Sequence, residues 1–95
     1  MLFVTLMKGK AGSTFNQRVA RRLGWNAPAG MRVVAEYWLA SEEPGVVVVS
    51  EAEDALVILN ALREWDDVFE STVVPCVAAE EGLAFARKEL AAAHA

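Results

Sequence analysis

Cysteine, histidine and proline are scarce in this sequence, with one Cys, one His and three Pro among 95 residues. The lone Cys76 excludes an internal disulfide and fits a reducing compartment, so a cytoplasmic location is expected. With the only histidine at His94, in the tail, Cys76 has no base to activate it and reads as a small apolar residue. The same scarcity leaves no zinc ligand set, and the acidic residues follow no calcium-loop spacing, so no metal is expected. No apolar run approaches the ~20 residues of a membrane span, and no basic region precedes the apolar start "MLFVTL". That segment is read as a strand. Excess positive charge is missing as well: the net charge of −4 argues against nucleic acid, although Arg18, Arg21 and Arg22 cluster in one segment, where they are read as a solvated helix face.

Apolar residues, by contrast, are abundant. They make up 55% of the chain, and mean hydropathy is +0.27. A domain of this length buries only a little over half of its unfolded surface, so the surplus points to self-association. The clearest excess is Val46 to Val49. Four consecutive valines do not alternate with polar residues, so both faces of that strand need cover.

Periodicity places a strand over 2–7, then a helix capped by Ser13 with Phe15, Val19 and Leu23 as its inner stripe and Gly24 at its end. Residues 31–40 and the valine run form a hairpin around "SEEPG". Ser50 and Glu53 have capping-box spacing ahead of a helix with apolar positions 55, 58, 59, 62 and 65. A strand over 68–76 follows, with Pro75 assigning it to a sheet edge. The last helix spans about 80–92, with residues 93–95 fraying. One domain over 1–95 is expected, of α+β class. The order β-α-β-β-α-β-α matches the ferredoxin-like split βαβ arrangement, with an antiparallel four-stranded sheet ordered 4-1-3-2.

Strand parity assigns Leu2, Val4, Leu6, Val33, Ala35, Tyr37, Phe69 and Val73 to the helix-covered face. Phe3, Thr5, Met7, Val34, Glu36, Trp38, Glu70, Thr72 and Val74 fall on the open face. So apolar a surface calls for a partner or a ligand.

The N-terminal "MLFVTL" strand, the hairpin "GMRVVAEYWL", the passage "VVVVSEAEDALVIL" and the closing "EWDDVFESTVVPCVAAEEG" resemble small bacterial proteins of unknown function in the dimeric α/β-barrel superfamily. Its best-known relatives are the cofactor-independent antibiotic-biosynthesis monooxygenases. The resemblance implies a homodimer whose sheets pack face to face, with a cleft in each subunit for a small apolar or amphipathic molecule and no bound cofactor. Its alternative implication is a cofactor-independent monooxygenase or isomerase. Haem chemistry is not expected, because haem-handling relatives use a histidine near the cleft.

The candidate site is Glu36, Trp38, Glu70 and Thr72, with Tyr37 beside them. A carboxylate next to an aromatic in a dry cleft has a raised pKa and serves as an acid or base. The competing reading pairs Glu36 and Glu70 with Arg32 or Lys8 at a dimer rim. Trp25 and Trp65, near element ends, are read as packing anchors.

Overall fold

The computed structural model describes residues 1–94. Its elements are β1 (Leu2–Gly9), α1 (Phe15–Leu23), β2 (Met31–Trp38), β3 (Val46–Ala52), α2 (Ala55–Leu62), β4 (Phe69–Cys76) and α3 (Ala79–Ala93). The four strands form one antiparallel sheet in the order β2-β3-β1-β4, which is the ferredoxin-like order. The valine strand is therefore interior. Pro75 lies on the edge strand β4, opposite Phe3, where a missing N–H is tolerated. Gly30, at φ +89°, makes the left-handed turn that starts β2.

The element boundaries differ from the sequence reading at two caps. Ser50 does not start α2. It is a fully buried residue within β3, and Asp54 caps α2 instead, its carboxylate accepting from the Leu56 and Val57 amides at 2.9 and 3.4 Å. Thr14 rather than Ser13 caps α1, in a reciprocal box with Gln17. Both cases have one cause: strings of Ser, Thr and Asp offer several capping side chains, and the strand or loop before the helix decides which is used. α3 runs to Ala93, one residue past the expected end, and His94 caps it; Ala95 lies outside the described residues.

The core lies between the sheet and α2. Phe3, Ala52 and Ile58 form one buried group, while Met7, Trp65, Val68 and Phe69 form another. Burial of a side chain such as Ile58, at 1% exposure, contributes about 1.5–3 kcal/mol.

This core reverses part of the face assignment. In an antiparallel pair, directly opposed residues share a face, so Phe3, Thr5 and Met7 lie with Ser50, Val48 and Val46 beneath the helices. Leu2, Val4 and Leu6, opposite Glu51, Val49 and Val47, lie on the uncovered face. Alternation alone could not choose, because both phases of "LFVTLM" are apolar. On β2 the expected face holds for Val33 but not beyond it. The register slips between Val33 and Ala35, so Glu36 and Trp38 pair with Val48 and Val46 and turn toward the helices, whereas Tyr37 turns outward.

α1 meets the sheet in an unusual way. None of its residues is buried, and its expected inner stripe is largely exposed, with Phe15 at 62% and Leu23 at 83%. Its arginines face inward instead. Arg18 lies 5.4 Å from the Phe69 ring centroid, Arg21 5.7 Å from Trp65 and Arg22 5.5 Å from Trp25. Each such contact stabilises by about 0.5–1 kcal/mol at partly exposed positions. Long guanidinium arms hold a helix farther from a sheet than leucines would, and the space beneath α1 is the consequence.

α3 projects from the rest of the molecule. Among its described residues only Gly82 is even half-buried, and Leu83 and Leu90 are exposed on one side. The radius of gyration is 16.4 Å, against about 12 Å for a compact chain of this length.

Candidate functional site

Beneath α1 lies a cleft of about 540 Å³. β1 and β3 supply its floor through Thr5, Met7, Val46 and Val48, and α2 closes one side with Ile58, Ala61 and Leu62. Apart from Thr5, floor and side are apolar, because strand alternation and the inner stripe of α2 both point there. The polar groups sit above them. Arg18 and Arg22 descend from α1, one turn apart at i and i+4, and Glu36 rises from β2.

Glu36 and Arg22 form the central ion pair. Arg22 Nε donates to both carboxylate oxygens at 3.1 and 3.2 Å, and Nη2 donates to Oε1 at 3.0 Å. Trp38 Nε1 donates to Oε2 at 2.7 Å. Burial pushes the Glu36 carboxyl up, but the hydrogen bonds from Arg22 and Trp38, with the Arg22 charge, outweigh it and leave the pKa below its ordinary value. Glu36 is thus a fixed carboxylate at neutral pH. Neither the raised pKa nor the pairing with Arg32 occurs, since Arg32 engages Glu51 at 2.6 Å. Lys8 engages Glu43 at 2.9 Å.

Of the residues singled out from the sequence, Glu36 and Trp38 meet in the cleft, where the Trp38 ring also meets Phe15 edge-on at 6.1 Å. Glu70 touches the cleft only at the end of β4. Thr72 and Tyr37 do not line it: Thr72 opposes Leu6, Tyr37 opposes Val47, and both belong to the uncovered face. Ordinary alternation puts Tyr37 opposite Glu36 and Trp38, and the β2 bulge is what separates Thr72 from them.

The sequence reading missed the arginines. Their i, i+4 spacing was the available signal, because it puts Arg18 and Arg22 on one side of α1. Trp25 and Trp65 act as packing anchors and also line the cleft. They meet edge-on at 6.0 Å, Trp25 Nε1 donates to Glu64 at 2.5 Å, and Trp65 stacks obliquely on Phe69.

Arg18 has the most constructed surroundings. Its Nη1 donates to the Ser13 hydroxyl at 2.7 Å, and Ser13 Oγ lies 2.8 and 3.1 Å from the Lys10 and Val68 carbonyls. A Cβ at Gly9 would fall 3.0 Å from the Arg18 guanidinium, so the absent side chain there makes its room. Among the described residues no carboxylate lies within ion-pair distance of Arg18.

No group of three or more His, Cys, Asp or Glu suited to a metal ion occurs among the described residues, and no helix there is long and apolar enough to cross a membrane. Compared with known families, residues 1–90 match the one described as Domain of unknown function (DUF3303). No curated protein and no solved structure matches the chain.

Proposed function

The chain belongs to the DUF3303 family, and from its cleft we propose that it binds a small apolar or amphipathic molecule between α1 and the sheet. The observation that carries this reading is the apolar cleft of about 540 Å³ with a few converging polar groups, the form that small-molecule sites take. Side chains that merely fill a core leave no such space. Intrinsic tryptophan fluorescence tests it, since Trp25, Trp38 and Trp65 all line the cleft. Titration with 1-octanol is expected to give a saturable change in emission, and Val19→Trp, which fills the space from α1, is expected to abolish it. A non-saturable response, or one untouched by Val19→Trp, overturns the proposal. Mass spectrometry of small molecules that copurify with the native protein then identifies the occupant.

The resemblance to cofactor-independent monooxygenases receives less support from the site. A general base works best with a pKa near the operating pH, and Arg22 and Trp38 lower that of Glu36, which makes it a weak base. A binding role asks only for the fixed geometry these bonds provide.

The same reading includes a single domain that forms a homodimer through the uncovered sheet face. Leu2, Val4, Leu6, Val47, Val49 and Val74 gather on that face with no helix over them, and contiguous apolar surface of this kind marks an interface. A two-fold dimer places the patch against its own copy. α3, projecting with Leu83 and Leu90 exposed, offers a second surface for that copy.

A further inference from the structure

We propose that the occupant of the cleft is an anion, an apolar molecule bearing a carboxylate, and that Arg18 is its anchor. The inference rests on the cleft being a binding site, as proposed above, and adds the chemistry that the site selects.

Charge bookkeeping inside the cleft is the first support. Its lining carries four cations, Lys8, Lys10, Arg18 and Arg22, against three carboxylates, Glu36, Glu42 and Glu70, in a chain whose net charge is −4. Two of the cations are already committed, Lys8 to Glu43 and Arg22 to Glu36. Of the charges that remain, Lys10, Glu42 and Glu70 are exposed and screened by water. Arg18 is the half-buried cation left without a counter-charge among the described residues.

Its fixed position is the second support. The guanidinium lies over the Phe69 ring, beside the space left by Gly9, with one N–H spent on Ser13. A guanidinium has five N–H donors in a planar fork that matches a carboxylate two at a time. Four remain for a ligand. A surface arginine paired with nothing is common, but this one is fixed by an aromatic ring and a hydroxyl, and ordering it before the ligand arrives lowers the cost of binding. From Arg18 the floor residues Met7 and Val48, with Ile58 at the side, accept an apolar tail. Glu36 lines the same cleft, so an ammonium on an otherwise identical ligand would have to compete with Arg22 for it.

Tryptophan fluorescence titrations of the full chain with octanoate, 1-octanol and octylamine test the proposal, because the three probes share a tail and differ in the head group. Octanoate is expected to bind about 10-fold tighter than octanol, the effect of a charge-assisted bidentate contact at a partly solvated site. Octylamine is expected to bind no tighter than octanol. Added salt should reduce the octanoate preference and leave octanol unchanged, a comparison that needs no variant. Arg18→Met is expected to erase the preference with octanol binding held within about two-fold, whereas Arg18→Lys keeps part of it, since an ammonium preserves the charge and loses the fork. Octanol binding with no preference for octanoate overturns the anion assignment and leaves the cleft reading standing. A preference that survives Arg18→Met overturns the role of Arg18. Failure of all three probes overturns both proposals.

Discussion

Replacing Glu36 by glutamine removes one charge from the middle of the cleft while keeping the side-chain shape, and its cost follows from the contacts. Glutamine retains one carbonyl oxygen for Arg22 or Trp38, but its NH₂ group then faces a second N–H donor. Two unit charges about 4 Å apart attract by about 4 kcal/mol at an effective dielectric of ~20. Much of that is offset here, because the carboxylate, at 18% exposure, has lost water and Arg22, at 38%, is still screened by it. A net loss of about 1–2 kcal/mol remains, equivalent to a fall of about 5–10 °C in melting temperature for a domain of this size. The sign of the pH dependence is fixed by the depressed pKa. A carboxyl whose folded value lies below its ordinary 4.5 stabilises the fold fully above that pH, and loses the contribution as pH falls through the folded value. Circular-dichroism melts of both proteins from pH 8 to pH 3 should therefore show a constant gap down to about pH 5, closing on further acidification. A variant as stable as wild type at pH 7 refutes the reasoning. So does a gap that widens between pH 8 and pH 5, the signature of a carboxyl whose pKa is raised.

Ile58→Ala removes the most deeply placed aliphatic side chain of α2, 1% exposed against Phe3 and Ala52, and is expected to cost about 2–5 kcal/mol in denaturant unfolding. A loss under about 1 kcal/mol would show that α2 does not anchor the sheet. Ser50→Ala removes a fully buried hydroxyl with no hydrogen-bond partner among the described residues, so the same assay should give a change near zero or a gain of up to about 1 kcal/mol. A loss of more than about 1 kcal/mol would reveal a bonded hydroxyl. Size exclusion with light scattering should report a dimer at micromolar concentration, and Val49→Glu, on the uncovered face, should convert it to a monomer that keeps octanol binding. A wild-type monomer rules out the interface.

The fold was legible because several independent signals converged on it. The valine run required an interior strand, Pro75 required an edge, and the order of elements admitted a known topology that satisfies both. Face assignment was less secure, since "LFVTLM" is apolar in either phase and placing Phe3 or Leu2 inward satisfies alternation equally well. Only contacts with the rest of the chain break that tie. Ile58 and Ala52 pack with Phe3, and the other phase is left uncovered.

The candidate site was half legible for a more specific reason. Glu36 and Trp38 share parity, so any register keeps them on one face, and Trp38 Nε1 donates to Glu36. Parity links them to Glu70 and Thr72 only if β2 is regular, and the extra residue between Val33 and Ala35 reverses that relation. A bulge has no reliable mark in a run such as "MRVVAEYW", where β-branched and aromatic residues flank it on both sides. The same extra residue decides the chemistry of the cleft. Without it, Tyr37 rather than Glu36 would turn toward α1, leaving Arg22 with no carboxylate on β2 and two uncompensated guanidiniums, Arg18 and Arg22, over an apolar floor. With it, Arg22 is paired with Glu36, and Arg18 alone of the two has no carboxylate within ion-pair distance among the described residues.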